Sequence, residues 1–277
     1  GLIDEVKLYD TALSDEDILA SFEANKLHQI IKINSLYYPF EESVESKVFV
    51  DSNLSYPATC LGITCPVAGV EGISGKALKF DGVDDFVSIL NSNYTRLKEQ
   101  VTVEAWIKPE VNNNTKLPYQ LVVAKGLDYE VTITDTGILR TGITNESGKR
   151  IAFNSNNAVN MYKWNHVAIT YDGEMIRAYA NGELVGQQAQ TGLIRDIGSV
   201  KLGKLYNNSY QYKGLIDEVR VHNTALSADE IRFSFLKVSQ KEYTGPIIFD
   251  FEEGSGVFTD KSGKVEAFCS DDVNRCP

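Results

Sequence analysis

The chain has 277 residues and a formal net charge of −11 at pH 7, with 43% hydrophobic and 23% charged residues. This composition is typical of a globular protein with a sizeable core. The acidic balance argues against a nucleic-acid partner, because neutralising phosphate needs clustered lysine and arginine. A run of about 18 apolar residues would be needed to span a membrane, and this segment contains none.

A sequence segment at the start of the chain is repeated near its end. Residues 1–14 (GLIDEVKLYDTALS) reappear as residues 214–227 (GLIDEVRVHNTALS), 213 residues later. A second pair of similar segments is residues 38–43 and residues 249–254, in which Phe40 and Phe251 are 211 residues apart. Two offsets this similar predict a tandem repeat of roughly 210 residues.

The repeat predicts three segments in this chain. The last strand and helix of a preceding unit fall at residues 1–27, a complete unit at 37–236, and the first strand and cysteine loop of a following unit at 246–277.

Within the complete unit, short apolar segments are separated by turn residues. Residues 101–107 alternate with period two and place their valines, Ala105 and Ile107 on one face. Asp172-Gly173 and Asn181-Gly182 supply the positive φ angles that tight hairpins require. We therefore expect an all-β protein, an antiparallel two-sheet jelly-roll sandwich.

One short helix is predicted after the last strand. Ser227 and Glu230 have the spacing of a capping box, in which each side chain bonds the backbone N–H of the other residue. We expect the apolar residues that follow to pack against the sandwich, namely Ile231, Phe233, Phe235 and Leu236.

The four cysteines fall in two close pairs, Cys60 with Cys65 and Cys269 with Cys276. Two interpretations stay open. Local disulfides in an exported protein fit small, closely spaced pairs. One thiol metal site per unit is the rival, although two thiolates leave a tetrahedral zinc ion short of ligands.

Asn-x-Ser/Thr sequons could carry glycans on a surface protein. They begin at Asn53, Asn93, Asn113, Asn145 and Asn207.

Seven ordered motifs of the complete unit are similar to one family. They run from Phe40-Glu41-Glu42 through residues 75–87, 103–107, 164–168, 171–173 and 181–185 to residues 214–221. The unit resembles the laminin G-like jelly rolls of the concanavalin A-like lectin and glucanase superfamily. The resemblance implies two antiparallel sheets with a curved face, but the fold alone does not decide the function.

Catalysis is not expected. Relatives that cleave β-glucans carry carboxylates at alternate positions of one strand, whereas the best candidate strand here carries Glu104 alone. We interpret Glu104 as an edge or sheet-face residue. The histidines at positions 28, 166 and 222 are far apart and have no local serine, cysteine or carboxylate context that suggests a triad.

A calcium site is implied by position in the resemblance. Its candidate ligands are Asp217, Glu42 and Asp51, with backbone carbonyls and water supplying the remaining oxygens. The alternative is that Asp217 caps a loop backbone or pairs with a nearby cation. The acidic turn at Asp81, Asp84 and Asp85 is interpreted as a solvated hairpin, with a surface cation as the other option.

Sugar binding is the other candidate activity. Six tyrosines could serve as exposed rings: Tyr119, Tyr129, Tyr162, Tyr206, Tyr210 and Tyr212. A tyrosine in a strand also packs with one wet edge in many proteins that bind nothing there.

Our leading hypothesis is a non-catalytic structural or adhesive repeat of an extracellular or cell-surface array or filament. Its partners would be neighbouring copies joined head to tail. The alternative is a lectin-like, calcium-assisted carbohydrate-binding module with glycans as partners. A glycoside hydrolase is the third hypothesis, and it requires a second carboxylate near Glu104.

Overall fold

The computed structural model describes residues 35–52, 56–91, 95–113, 118–205 and 210–239, and the backbone of two strands at 257–259 and 266–268. The described residues from Ser35 to Ser239 belong to one compact unit, and the two later strands belong to another. The predicted segment 1–27 and most of 246–277 lie outside the described residues.

The first unit contains two eight-stranded antiparallel sheets. Sheet A consists of β1 (Ser35–Tyr38), β4 (Val67–Glu71), β5 (Lys76–Asp81), β7 (Val101–Pro109), β12 (Asn165–Tyr171), β13 (Met175–Ala180), β14 (Glu183–Ala189) and β16 (Lys213–His222). Sheet B consists of β2 (Val48–Val50), β3 (Pro57–Thr59), β6 (Val87–Ile89), β8 (Tyr119–Lys125), β9 (Tyr129–Thr134), β10 (Ile138–Thr144), β11 (Arg150–Asn157) and β15 (Val200–Leu202).

The order of strands confirms the expected sandwich. Sheet A runs β14-β13-β12-β7-β16-β5-β4, with β1 also paired to β16, and sheet B runs β11-β10-β9-β8-β15-β6-β3-β2. Many neighbours in space are distant in sequence, as in β7 beside β16, which is the connectivity of a jelly roll rather than of a simple meander.

The core lies between the two sheets and follows from the period-two pattern. In β7, Val103, Ala105 and Ile107 are almost fully buried in the core, as predicted, while Glu104 and Trp106 point to the outer face of sheet A. Burial of each large aliphatic or aromatic side chain contributes about 1.5–3 kcal/mol.

The predicted Asn-Gly hairpin has the expected backbone. Asn181 and Gly182 have φ angles of 51° and 81°, as a type I′ turn requires, and they join β13 to β14.

The single α-helix of the described residues, α1 (Ala228–Ser239), begins at the predicted capping box. The Ser227 N–H donates to Glu230 Oε2 at 2.6 Å, and the Glu230 N–H donates to Ser227 Oγ at 3.3 Å. The helix packs on the outer face of sheet A, where Ile231 contacts a small cluster with Ala168 and Tyr179.

Two details of the predicted helix face differ from the structure. Phe235 stacks on Trp106 with ring centroids 5.6 Å apart, as expected of an inward residue. Phe233, however, is 52% exposed, and Val238, which was not among the predicted residues, is buried. Both differences arise because residues 231, 235 and 238 form the helix face that lies against the sheet. None of the described residues forms a helix long and apolar enough to cross a bilayer.

Candidate functional site

A row of small side chains crosses the outer face of sheet B. Read across the strands, the row is Ala152, Gly142, Glu130, Ala124, Lys201 and Ser88. At Gly142, a Cβ would lie only 2.8 Å from both Ala152 Cβ and Arg150 Nη2, so a larger residue does not fit. Gly142 and Glu130 are buried beneath Arg140 and Arg150, which both pair with Glu130, so the open part of the row is its Ala124 end.

An open pocket of about 320 Å³ lies at Ala124, at this end of the row. It is lined by Ala124, Gly126, Leu127, Arg195, Ile197, Gly198, Ser199, Lys201, Lys204 and Leu205. Its volume falls at the low end of small-molecule pockets, and its lining mixes aliphatic groups with a few polar ones, as ligand sites do.

One wall of the pocket, residues 195–198, is held by Asp128. This carboxylate is fully buried and accepts hydrogen bonds from Arg195 Nε at 2.8 Å, from the Ile197 N–H at 2.8 Å and from the Gly198 N–H at 2.9 Å. The buried ammonium of Lys125 bonds Asp196 and the Thr95 carbonyl. These bonds pre-organise the wall before any ligand arrives.

An apolar strip extends the pocket along the sheet. Leu121, Ala124 and Leu205 form a buried cluster on this outer face, and Tyr210 packs against it. The Tyr210 carbonyl accepts the Leu121 N–H at 2.7 Å. The ring of Tyr119 lies 5.8 Å from that of Tyr210, so two neighbouring aromatic rings border the strip.

We call the pocket, the row of small side chains and the two tyrosines the sheet B groove. Cations dominate its rim. Lys201 and Lys204 lie over the Phe86 ring at 5.2 and 5.0 Å on one side. On the other side, Arg140 and Arg150 both pair with the buried carboxylate of Glu130.

The rim therefore differs in charge from the rest of the chain. Among the described residues around the pocket, six cationic side chains face three carboxylates, Asp128, Glu130 and Asp196, once the Lys125–Asp196 pair of the wall is counted. The formal net charge of the whole chain is −11. Because Arg195 is paired with Asp128, and Glu130 is shared by two arginines, Lys201 and Lys204 are the cations best placed to meet a ligand. This local positive field favours an anionic group.

The outer face of sheet A carries a buried polar network that local sequence context does not reveal. Glu104 is 1% exposed and bridges two histidines, with 3.1 Å to His166 Nε2 and 2.7 Å to His222 Nε2. Burial alone would raise the pKa of Glu104, but hydrogen bonds from both imidazoles hold that pKa well below its usual range.

The local sequence around the histidines does not reveal this carboxylate, which reaches two of them across neighbouring strands. The strands β7, β12 and β16 lie side by side and bring together residues 62 and 118 positions apart. Glu104 lies on a sheet face, as interpreted from the sequence, but its burial leaves no room for a substrate. His28 lies outside the described residues.

Each of the three calcium candidates accepts hydrogen bonds from backbone N–H groups. Asp217 is fully buried, and its two oxygens accept the N–H groups of Ile73 at 3.0 Å, Ser74 at 3.3 Å and Glu218 at 2.7 Å. Glu42 Oε1 accepts the Val50 N–H at 2.8 Å, and Asp51 accepts the Tyr37 N–H.

These contacts do not suit a cation shared by the three residues. Donor groups surround the Asp217 carboxylate, as in the loop-capping alternative, and burial with the neighbouring Glu218 charge raises the pKa of Asp217 to about 8. Within the described ranges, the three do not form a group with ligand atoms within 4.8 Å of one another. A calcium site here stays a prediction.

The acidic turn does bring its carboxylates together. Asp81, Asp84 and Asp85 place oxygens within 4.8 Å of one another. The backbone already uses two of them, since Asp81 accepts the Val83 N–H at 2.7 Å and Asp85 accepts the Asp81 N–H at 2.8 Å. Burial raises the pKa of Asp85 to about 6. These bonds hold a turn that leads from β5 of sheet A to β6 of sheet B, and Asp85 is buried. The interpretation as a solvated hairpin is therefore wrong, because the two flanking strands belong to different sheets.

The structure joins Cys60 and Cys65 by a disulfide with an S–S distance of 2.06 Å. Cys269 and Cys276 lie outside the described residues, as do the sequon positions Asn53, Asn93 and Asn207.

The two described sequons differ in accessibility. Asn113 is exposed. Asn145 is half-buried, with Nδ2 donating to the Thr191 carbonyl at 3.0 Å and Oδ1 accepting the Lys149 N–H at 3.0 Å. A glycan on Asn145 would have to displace these bonds.

The structure separates the candidate tyrosines. Tyr129 and Tyr212 are fully buried in the core, so their interpretation as surface rings is wrong; each points between the sheets rather than outward. Tyr119 and Tyr210 border the sheet B groove, Tyr162 is 59% exposed in the loop between β11 and β12, and Tyr206 lies outside the described residues. Sequence reasoning missed Ala124, Lys201 and Lys204, because their proximity depends on strand register.

Comparisons with known proteins agree with this architecture. A family model described as the concanavalin A-like lectin/glucanases superfamily matches residues 81–232. No curated protein sequence matches the chain.

Several solved binding domains have a similar fold. The binding domain of Paraclostridial Mosquitocidal Protein 1 has a TM-score of 0.60 at 18% identity, covering 79% of this chain and 55% of that chain. The botulinum neurotoxin serotype D ligand binding domain, solved with N-acetylneuraminic acid, has a TM-score of 0.60 at 16% identity, covering 76% and 52%. The serotype G binding domain has a TM-score of 0.53 at 18% identity, covering 74% and 50%. The chain spans about half the length of these chains, and at such identities the likeness concerns the fold.

Proposed function

The chain belongs to the concanavalin A-like lectin/glucanases superfamily, and on this premise we propose that it is a non-catalytic carbohydrate-binding module whose ligand lies in the sheet B groove. The observation that carries the proposal is the pocket of about 320 Å³ at Ala124, set in a row of small side chains. A sugar ring needs such an opening, because larger side chains in place of Ala124, Gly126 and Gly198 would hold it away from the sheet.

The surroundings of the pocket favour an acidic sugar. Lys201 and Lys204 offer donors to a carboxylate or sulfate, while Leu205 and the Tyr119–Tyr210 pair offer apolar and aromatic surface to the ring. One structural neighbour was solved with N-acetylneuraminic acid. At its low identity it supports only the choice of probe.

Titration calorimetry on the full chain tests the proposal. The probes are 3′-sialyllactose, a sulfated disaccharide and uncharged lactose. We expect the acidic sugars to bind more tightly than lactose, and their affinity to fall with added salt because the groove cations are exposed to solvent. Equal affinity for acidic and neutral sugars would contradict the charge argument.

Matched variants locate the site. The double variant Lys201→Glu, Lys204→Glu is expected to lose at least about tenfold in affinity for acidic sugars, which corresponds to about 1.4 kcal/mol. Tyr210→Ala removes a ring from the same groove. Lys47→Glu reverses the charge of one lysine at an exposed position beside β2, which is half the charge change of the double variant, and serves as the control. Unchanged binding by the double variant would remove the groove from consideration.

The non-catalytic part of the proposal rests on Glu104. A glycoside hydrolase needs two carboxylates about 5–10 Å apart that a substrate can reach. Glu104 is 1% exposed and is occupied by two histidines. Release of reducing sugar from β-glucan by the purified chain would overturn this part.

A second candidate function is a structural or adhesive repeat in an extracellular array or filament, and one observation favours it. The strands β17 (Val257–Thr259) and β18 (Glu266–Phe268) pair as Val257 with Phe268 and Phe258 with Ala267. The hairpin of β2 and β3 pairs Val48 with Thr59 and Phe49 with Ala58. Each partner lies 209 residues from its counterpart, so the register is the same in both hairpins.

This shared register supports a second copy of the same hairpin within residues 246–277, as a following repeat would have. The Cys60–Cys65 disulfide supports an oxidising, extracellular location. Sedimentation velocity over a wide concentration range tests self-association. Head-to-tail contacts predict growing species at high concentration, and a monomer throughout would contradict the filament.

A further inference from the structure

A second pocket of about 320 Å³ lies on the outer face of sheet A, on the other side of the sandwich. Its floor is a cross-strand row in which Leu215 of β16 pairs with Lys79 of β5 and with Lys108 of β7. Neighbouring strands are about 4.8 Å apart, so the two lysines stand roughly 10 Å apart with the leucine between them. Val70 adds to the apolar floor. We call this the sheet A pocket.

Tyr162 borders the sheet A pocket and is presented by a fixed loop. Its side chain is 59% exposed, and its backbone has a φ of 64°, which is uncommon for a residue with a Cβ. The Tyr162 N–H donates to the Pro109 carbonyl at 2.7 Å. This backbone strain occurs at an exposed aromatic residue, whose side chain contributes little to core packing. Strained residues of this kind are typical of binding sites.

The buried amide of Asn165 holds this loop. Its Oδ1 accepts the Asn160 N–H at 2.8 Å, and its Nδ2 donates to the carbonyls of Asn160 at 2.8 Å and Lys163 at 2.6 Å. Asn165 is fully buried at the start of β12. The ring of Tyr162 is therefore placed beside the pocket without a ligand, and binding would cost little loop entropy.

The charges of this pocket are balanced, unlike those of the sheet B groove. Lys79 and Lys108 are matched by Glu71 and Glu110. Glu110 also lies 3.8 Å from Lys213 Nζ. Donors and acceptors thus stand side by side around an apolar floor and an aromatic ring. Alternating donors and acceptors match the hydroxyl groups of an uncharged sugar, and the apolar floor and ring match its C–H face.

We propose that the sheet A pocket is a second carbohydrate site, specific for an uncharged pyranose that packs on Tyr162 and bonds Lys79, Lys108, Glu71 and Glu110. With the sheet B groove, it would make one unit bivalent, with an acidic and a neutral specificity on opposite sheets. The second site does not depend on the first, because the two recognise different chemistry. Bivalency would raise the avidity for surfaces that display both kinds of sugar.

NMR titration of the ¹⁵N-labelled full chain tests the proposal. The probes are methyl β-D-galactopyranoside, methyl β-D-glucopyranoside and methyl α-D-mannopyranoside. We expect at least one of them to shift the amides of Lys108, Tyr162, Lys163 and Leu215 in a saturable manner, with no comparable shifts at Ala124 or Lys201. If none of the three shifts the former group, or if the shifts fall in the sheet B groove, the proposal is wrong.

Two variants of Tyr162 separate binding from folding. Tyr162→Gly removes the ring and also suits the positive φ, so it should be at least as stable as the parent chain. We expect it to lose about tenfold or more in affinity for the neutral glycoside, while Tyr162→Phe keeps most of it. Unchanged binding by Tyr162→Gly would overturn the proposal.

The two sites fail in distinguishable ways. The variant Lys201→Glu, Lys204→Glu should leave neutral-sugar binding unchanged, and Tyr162→Gly should leave 3′-sialyllactose binding unchanged. If either variant abolishes both activities, the chain has one site and the assignment of two is refuted.

Discussion

The buried network around Glu104 allows a quantitative prediction of stability. Replacing Glu104 with alanine removes a carboxylate that accepts bonds from His166 at 3.1 Å and His222 at 2.7 Å. Each hydrogen bond to a charged group contributes about 1.5–3 kcal/mol. The variant also removes the negative charge next to both imidazoles and next to Arg220, which lies opposite Glu104 on β16. Breaking a buried charge network of this kind typically costs about 3–5 kcal/mol.

The pH dependence follows from the depressed pKa of Glu104. Although burial opposes ionisation, bonds from His166 and His222 hold the folded-state pKa well below the ordinary value of 4.5. A depressed folded pKa contributes stability that is fully present above the unfolded pKa and is lost as pH falls through the folded pKa. The difference in stability between parent and Glu104→Ala should therefore be largest above about pH 5 and shrink towards pH 3.

Urea unfolding of both proteins, followed by tryptophan fluorescence at several pH values, measures this difference. Glu183→Ala, which removes an exposed carboxylate at the edge strand β14, is the control and should change stability by less than about 0.5 kcal/mol. The reasoning is refuted if Glu104→Ala costs less than about 1 kcal/mol at pH 7, or if its cost grows as the pH falls.

Three further predictions concern local features. Ser227→Ala removes one half of the capping box of α1 and should cost about 1 kcal/mol in thermal unfolding, whereas no change would mean that packing alone holds the helix end. Replacing Cys60 and Cys65 with serine opens a small loop and should lower the free energy of unfolding by about 2 kcal/mol. Adding reductant should lower the unfolding free energy of the parent by a similar amount and leave that of the variant unchanged. In a glycosylating host, peptide mass spectrometry should find glycan on Asn113 but not on Asn145, whose amide is bonded at both ends; an occupied Asn145 would contradict the described geometry.

Features that depend on neighbours in sequence could be predicted from the sequence. The alternation in β7, the Asn181-Gly182 turn and the Ser227–Glu230 capping box each arise from residues within one turn or strand of each other. Their local preferences agree with the global fold, so the sandwich and its helix were predictable. Phe233 was the exception, because the choice between two helix faces depends on the sheet beneath.

The candidate sites depend instead on register across distant strands. The sheet B groove joins Glu130, Ala124 and Lys201, and their alignment follows a bulge between Leu121 and Val123 that no local pattern indicates. A one-residue slip would turn each side chain to the other face. The same reasoning explains why Glu104 and His222, 118 residues apart, were not recognised as partners.

The candidate calcium ligands show a different limit of prediction from sequence. Asp217 interrupts an apolar strand, which marked it as unusual, but the sequence does not show whether a buried carboxylate meets cations or N–H groups. In the structure, three backbone N–H groups meet it. Sequence position identified the residue but not its partners.

The most direct test of the carbohydrate-binding proposal is a crystal structure of the full chain with 3′-sialyllactose. The account predicts the acidic sugar over Ala124, with its carboxylate within hydrogen-bond distance of Lys201 or Lys204 and its ring beside Leu205. A sugar bound elsewhere, or an empty groove at a concentration that saturates the chain in solution, would contradict it.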